Sequence, residues 1–558
     1  MKNKQNSSKQ FDVIILGSGI AGSTLGTILA KHKARVLIID KATHPRFAIG
    51  EAITSHTEKL FATLSHQYSI PEFKYLSSFH NITKNFKNSG CGYKRCFGFL
   101  YHQADTEQSP EERILWGTSH SSHLFRQEID LYLVETATKY GAKFLTETNV
   151  TNINVSKDTV EVQINNCELF NANYLIDASG YNSLLAKKYD LREKPTRFKT
   201  QSRSIFTHMV GVKRADDCLK SNSEHNISWY QGTVHHIFDG GWMWVIPFNN
   251  HENATNPICS VGLNLDLRSF PRDENLTPQE EFQSFLSRFP TIAAQFENAQ
   301  PIREWTSTGR LQYSSSSCVG ERFYILPHAA GFVDAIFSTG LTQTFICVSS
   351  LAALLLKAIA DNDFSTKKFA PLEELQQNIF DYNDKIANCT YISFRDFDLL
   401  NAWLRVWLLQ HMMSVAKLAC ARLFGLSLET YKQKKLEDWS RFTGLDYLQD
   451  IDPRTEGWGK NYVQRAVLEM EKVDKGLIQP KEAAANIVSL LNSTSWLFQT
   501  CGLGNPSERF MDILISKRFS LSFIAYSFWS HFFLKKEVRP YKFQMKEFIE
   551  VTRLGIEV

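Results

Sequence analysis

Residues Phe11–Asp40 read FDVIILGSGIAGSTLGTILAKHKARVLIID. Phe11–Leu16 is an apolar, β-branched run broken only by Asp12, the pattern of a strand buried on both faces. A glycine-rich turn follows, then a helical stretch over Ala21–Lys31, then a second buried strand over Arg35–Ile39 that ends at Asp40. This is a βαβ unit with a GxGxxG turn at Gly17, Gly19 and Gly22. The first glycine permits the tight turn, the second lets a pyrophosphate approach the backbone, and the third lets the helix pack on the strand. The helix N-terminus offers free N–H groups to phosphate, and a carboxylate at Asp40 can accept ribose hydroxyls.

The chain has 558 residues, 43% hydrophobic and 13% aromatic, enough for a large core and two or three domains. Its 62 basic and 58 acidic residues nearly cancel, and no long block of like charge occurs. That balance argues against a nucleic-acid partner. The ten cysteines form no CxxC pair and no Cys/His cluster with zinc spacing, so no metal site is expected. Scattered thiols fit a reducing cytoplasm. Residues 1–10 are polar and read as a flexible leader without the apolar stretch of a signal peptide. Leu341–Leu356 and Phe519–Leu534 are apolar but short of a full membrane span. Both read as buried helices, and no membrane contact is expected.

Strand-like runs SIFTHMVGV, WMWVIPF and CSVGLNL fall between Ser202 and Asn264 and predict an antiparallel sheet. Leu124–Tyr140 has helical periodicity and stops at Gly141. From about Pro371 the pattern is mostly helical. The organisation expected is a core over 11–370, with the sheet inserted at about 200–300, and a helical region over 371–558.

Three further segments resemble the large two-dinucleotide-binding flavoprotein superfamily. Ala172–Gly180, ANYLIDASG, is similar to its second flavin-contacting turn and contains Asp177. Arg322–Gly331, RFYILPHAAG, is similar to the segment that closes over the flavin ring. Arg126 in FRQEID resembles the arginine that opens a helix beside the cofactor. The resemblance implies FAD, held by Gly17, Gly19, Gly22, Asp40, Arg126, Asp177 and Gly331. His328 stands where that pattern often has Asp. No second GxGxxG follows a buried strand, since Gly502 and Gly504 in GLGNP lack that context. The FAD is therefore expected to arrive reduced, from a separate flavin reductase.

Gly241–Phe248 reads GWMWVIPF and contains WxWxIP as Trp242, Trp244, Ile246 and Pro247. This resembles the signature of flavin-dependent halogenases, closer to the branch acting on phenols and carrier-bound substrates than to the free-tryptophan enzymes. The likeness covers roughly residues 11–360. The fold implied is α/β: a Rossmann-like FAD-binding domain, an antiparallel substrate-domain sheet and a mainly helical C-terminal region. The reaction implied uses reduced FAD, oxygen and chloride or bromide to halogenate an electron-rich aromatic ring, phenolic or pyrrolic, free or carrier-bound. Strand alternation puts Trp242, Trp244 and Ile246 on one face, where they would wall the substrate off from the flavin.

In that family a lysine holds the oxidised halogen, by hydrogen bonding to hypohalous acid or as a haloamine. Lys94 in CGYKRCFGF is the best match, with Phe99 five residues on; Arg95, Lys84 and Lys87 compete. An amine in an apolar pocket has a lowered pKa. Phe332–Gly340, FVDAIFSTG, resembles the family's halide segment, with Ala335 in place of the usual proline. Thr339 and Gly340 match the positions whose N–H groups bind halide. A side-chain cap by Ser338 or Thr339 is the structural alternative. Phe337 occupies the place of a glutamate in free-tryptophan enzymes, which argues against that substrate. Glu51 in AIGEA matches the family's Gly-Glu-Ser after the second strand, with Ala52 replacing the serine, and Arg46 just before it is a candidate pyrophosphate or ribose contact.

Two flavoenzyme alternatives share these turns: an FAD-dependent aromatic monooxygenase, which would lack the need for halide, and a flavin-dependent isoprenoid-lipid reductase. From another class, the C-terminal half could dock a carrier protein through clusters such as Lys432, Lys434 and Lys435.

Overall fold

The computed structural model describes residues 9–165, 167–220, 227–425, 458–493 and 502–512. Phe519–Leu534 and the cluster Lys432, Lys434 and Lys435 lie outside them.

Strand β1 (Lys9–Leu16) begins two residues before the apolar run, so Lys9 and Gln10 belong to a strand rather than a leader. Helix α1 (Ile20–Lys31) and strand β2 (Val36–Ile39) complete the βαβ unit. β1 pairs in parallel with β2 on one side and with Leu169–Asp177 on the other. The register sets Leu16 opposite both Ile39 and Asp177. Gly17, Asp40 and Ala178 therefore share the carboxyl edge of the sheet, where open α/β sheets bind ligands. The helix Arg126–Lys139 packs on α1 and stops before Gly141, whose φ of 108° suits glycine.

The second sheet has nine strands. Ser202–Val210, Cys259–Asp266, Gly241–Pro247 and Gly232–Phe238 form the antiparallel series expected from the alternating runs. Strands β3 (Gly92–Tyr101) and β4 (Arg113–His123) extend it, and β3 joins Gly232–Phe238 in parallel. The sheet thus draws in a hairpin from well before residue 200. The sequence hid it because Gly, Lys and Cys interrupt the apolar alternation in CGYKRCFGF.

The two faces of Gly241–Pro247 feed different cores. Trp242, Trp244 and Ile246 pack with Phe97, Phe99, Phe337, Trp403 and Trp407. Met243 and Val245 pack with Phe282, Phe285 and Phe289 on the opposite side. The C-terminal helices cover the tryptophan face. Helix Thr366–Ser393 contains Pro371, so helical character starts before that residue, and helix Phe397–Gly425 follows it. Buried Arg405 donates to the carbonyls of Gly502, Leu503, Pro506 and Glu508. The GLGNP segment thus houses a guanidinium and does not form a nucleotide turn.

The apolar stretch at Leu341–Leu356 lies in helix Gly340–Asp361, which is long and apolar enough to cross a membrane but mostly buried in the protein.

Candidate active site

The glycines of the first turn do three different jobs. Gly17 has φ 101°, and a Cβ there would meet the Ala178 carbonyl oxygen at 2.5 Å. A Cβ on Gly22 would strike the Gly17 carbonyl oxygen, so this residue seats α1 on β1. A Cβ on Gly19 would meet nothing nearer than Arg46 Nη2 at 3.8 Å and Asp130 Oδ2 at 3.9 Å. The space over Gly19 is open, as a pyrophosphate contact requires.

Asp40 accepts from Ser18 N (2.8 Å), Ser18 Oγ (2.7 Å), Ala42 N (3.0 Å) and Arg46 Nη2 (3.1 Å). Burial alone would raise its pKa, but these donors outweigh burial and hold it below the usual carboxylate range. Arg126 forms a two-pronged pair with Asp130 and donates to the carbonyls of Ile49 and Gly50. It thereby fixes the loop that carries Glu51. Glu51 pairs with His208 at 2.7 Å, and Arg303 lies over the Phe47 ring next to it.

Four buried polar atoms along this cleft make no hydrogen bond among the described residues: His44 Nδ1, Arg46 Nε, Glu51 Oε2 and Arg303 Nη1. Orphaned donors and acceptors in one cleft are what a polar ligand would satisfy. An FAD fits that need, with an anionic pyrophosphate over Gly19 and hydrogen-bonding groups along Arg46 and Glu51.

Asp177 is fully buried, and its oxygens are taken by Ser179 N, Ser179 Oγ, Ser183 Oγ and Leu185 N. It orders its own turn, and the backbone of that turn is what faces the cleft. A Cβ on Gly331 would press on Phe380 and the Tyr313 carbonyl, so that glycine serves close packing. His328 Nδ1 lies 3.0 Å from Thr344 Oγ1, which itself donates to the Gly340 carbonyl.

Lys94 is completely buried on β3. Strict alternation would set it on the face of Cys96, away from Phe97. The β3–β4 register shifts between Lys94 and Cys96, and Nζ lies 3.8 Å over the Phe97 ring. Such irregularities re-aim side chains. Nζ also donates to Ser338 Oγ at 3.2 Å. The competitors are elsewhere: Lys84 and Lys87 are exposed, and Arg95 is half-buried.

Burial lowers the Lys94 pKa to about 7, against partial support for the charged form from Cys96 and Glu58. The surrounding imidazoles do not compete for charge. Burial pushes His123 and His235 down to about 3, and His411 to about 4, with Lys94 itself adding to each shift. Phe337 stacks on Trp407 at 4.3 Å between ring centroids, and Trp407 stacks on His411. The amine thus faces flat, uncharged rings.

Trp242 and Trp244 lie side by side, 5.7 Å between centroids, and both are nearly fully buried. Trp242 Nε1 donates to Tyr391 Oη and Trp244 Nε1 to Ser260 Oγ, each at 3.2 Å. A Cβ on Gly262 of the next strand would fall inside the Trp244 ring, so this glycine makes room for the indole.

Helix Gly340–Asp361 opens directly after this chamber, with Thr339 as its N-cap and no side chain capping it. The structural alternative of a hydroxyl cap is not what forms. Ser338 instead adopts φ 54° and turns its hydroxyl to Lys94. The first N–H groups of a 22-residue helix are left for an anion. Thr342 ties that first turn to helix α2 (Ser55–Tyr68), through its N-cap Thr54 and through Thr57 in its first turn. Glu58 lies on α2, one residue beyond Thr57.

Three residues of the chamber escape a reading of the sequence: Ser338 as a lysine partner, Glu58 as its nearby carboxylate, and Trp407. Ser338 lies inside the FVDAIFSTG motif, where it reads only as a cap. The other two come from segments with no recognisable spacing to β3.

Comparison with known proteins identifies the family. The FAD binding domain family matches over residues 10–307. Monodechloroaminopyrrolnitrin halogenase PrnC of Pseudomonas fluorescens is 39% identical, covering 99% of this chain and 98% of its own. Tetracycline 7-halogenase of Kitasatospora aureofaciens is also 39% identical, covering 90% of each chain. The crystal structure of halogenase PltM with phloroglucinol and FAD superposes with a TM-score of 0.82, at 34% identity, over 90% of this chain and 99% of that one. With the dinucleotide turn, the buried amine and the paired indoles in one molecule, this chain belongs to the flavin-dependent halogenases.

Proposed function

We propose that this halogenase acts on a free, electron-rich aromatic ring, phenolic or pyrrolic, with Lys94 as the residue that holds the oxidised halogen. The observation that carries this reading is the position of Lys94 Nζ. It is stripped of water, 3.2 Å from Ser338 Oγ, at the threshold of the helix that begins at Gly340.

Bound reduced FAD, with oxygen, supplies the oxidising power that converts chloride or bromide to hypohalous acid. Gly19 would take its pyrophosphate on the turn that Gly17 and Gly22 shape, Asp40 would hold its ribose, and Arg46, Glu51 and Arg126 would form the loop around it. Asp177 and Gly331 would shape the turns that border it. The N–H groups of Thr339 and Gly340 would hold halide at the positive end of the helix. Trp242, Trp244, Ile246 and Pro247 would keep the organic ring away from the cofactor. Lys94, with a pKa of about 7, has a substantial free-amine fraction at neutral pH and can take halogen as a nucleophile.

The substrate class rests on the rings lining the chamber and on Phe337. Phenols and pyrroles are activated already and need no acid at the place that Phe337 occupies. PrnC, tetracycline 7-halogenase and PltM are named for, or bound to, ring compounds not tied to a carrier protein. More distant relatives halogenate a pyrrole on a peptidyl carrier protein, at 25% and 24% identity. We place the enzyme in a reducing cytoplasm, served by a separate flavin reductase. The eight described cysteines, none in a disulfide, are consistent with that compartment.

The test is mass spectrometry of reactions with reduced FAD, bromide and a panel of free and carrier-bound phenols and pyrroles, using wild type and Lys94→Ala. Wild type should brominate free rings. Lys94→Ala should retain FAD and lose halogenation by about 10²-fold or more. Halogenation that survives this substitution removes Lys94 from its role.

A further inference from the structure

The tryptophan wall is not held by packing alone. Trp242 Nε1 donates to Tyr391 Oη at 3.2 Å, and Tyr391 Oη donates to Asp334 Oδ2 at 3.0 Å. Ser202 Oγ donates to the same oxygen at 3.1 Å, and the Ile336 N–H donates to Oδ1 at 3.0 Å. Gln312 closes the network, donating to Ser202 Oγ at 2.7 Å and to the Val333 carbonyl at 2.8 Å. Five separate segments meet here: the strand Gly241–Pro247, the helix Thr366–Ser393, the loop 332–339 that leads into the helix at Gly340, the strand Ser202–Val210 and the stretch that carries Gln312.

The chemistry of the chain is directional. An indole N–H buried among apolar rings needs an acceptor, or it carries the cost of an unmade hydrogen bond. Tyr391 is buried, like the indole it serves. A hydroxyl that donates onward to a carboxylate is a better acceptor than an isolated one. Burial pushes the Asp334 pKa up to about 6, and three donors on its two oxygens oppose that shift, so the ionised acid remains the main form at neutral pH. It also stands four residues before Ser338, the hydroxyl that receives Lys94 Nζ. The wall and the loop beside the amine are thus parts of one hydrogen-bonded circuit.

We propose that Asp334 and Tyr391 are positioning residues that pin the Trp242 indole to the loop before Gly340, so that oxidised halogen reaches Lys94 before it escapes to solvent. The inference rests on the wall and lysine roles proposed above. Neither residue is required to touch the aromatic substrate. Loss of the Tyr391 hydroxyl frees the indole to turn about its side-chain torsions and opens a gap in the wall. Loss of the Asp334 charge weakens the acceptor that holds the tyrosine, and loosens the loop with it.

The experiment uses the full chain loaded with FAD, with bromide and phloroglucinol, and a soluble β-diketone as a trap for escaped hypobromous acid. Tyr391→Phe and Asp334→Asn should each lower brominated product per reduced flavin consumed at least fivefold and raise trapped bromine correspondingly. For Tyr391→Phe, which leaves the Asp334 bond to the Ile336 N–H in place, the KM for bromide and the FAD content should stay at wild-type values, a split that general loss of folding would not give. Trp242→Phe serves as the reference. If it leaks bromine while Tyr391→Phe and Asp334→Asn do not, the positioning role is overturned and the wall stands. If none of the three leaks, the wall itself is overturned and this inference with it. Should Asp334→Asn fail to retain FAD, Tyr391→Phe, which removes a single oxygen, decides the matter alone.

Discussion

The cleft at the end of the first sheet and the chamber around Lys94 handle charge in opposite ways. In the cleft, Arg46 faces Asp40, Arg126 faces Asp130, and Asp40 also takes the Ser18 and Ala42 N–H groups. Charge is kept there, ready for an anionic, strongly hydrogen-bonding ligand. In the chamber, a lysine is placed under aromatic rings and beside imidazoles that stay neutral. Charge is discouraged there, which turns an ordinarily inert ammonium into an available amine. On the proposed function, the charged region binds the cofactor and the desolvated one carries the reacting amine.

The sharpest way to break this contrast is at the glycines of the cleft. Gly19→Val should lower FAD affinity on the order of 100-fold by blocking close charge-assisted contacts, while the melting temperature of the apoprotein holds. Gly17→Ala should instead destabilise the fold by about 2–4 kcal/mol, since its φ of 101° and the Ala178 carbonyl both oppose a Cβ. Calorimetry and flavin absorbance after purification separate the two outcomes.

Next comes the cost of burying Lys94. A lysine whose folded pKa lies below its unfolded value opposes folding fully below the folded pKa, and this opposition fades as pH rises toward the unfolded value. With values of about 7 and 10.5, Lys94→Met should stabilise the protein by ~3–5 kcal/mol at pH 6 and by progressively less toward pH 10. Denaturant unfolding at several pH values reads this directly. Gly262→Ala should act on the wall, pushing the Trp244 indole from its seat and costing about 1–3 kcal/mol. The smallest effect belongs to Glu58→Gln. Removing a carboxylate that favours the charged lysine lowers the Lys94 pKa further, so the acid limb of the pH–rate profile should move down by about 1 unit.

Much of this architecture is legible in the amino-acid sequence. The βαβ unit and its glycines obey backbone rules that leave a local signature, and Gly17, Gly19 and Asp40 fall where those rules put them. Trp242, Trp244 and Ile246 share a face because a strand has a period of two. Lys94 is legible by its motif but not by alternation, because an irregular register decides which way its side chain points. Asp177 reads as a ligand contact, yet its oxygens are used within its own turn. Glu58, Tyr391 and Trp407 leave no signature. They reach the site from helices distant in sequence, through contacts that depend on how those helices pack on the second sheet.

The most direct test of the account is an NMR titration of the holoenzyme carrying lysine labelled with ¹³C at the ε-carbon, with Lys94→Arg to assign the signal. The account predicts one lysine that titrates with a midpoint near 7 and disappears in the variant. If the signal removed by Lys94→Arg instead titrates above pH 9, the amine is a hydrated ammonium at neutral pH, and the desolvated chamber described above does not exist.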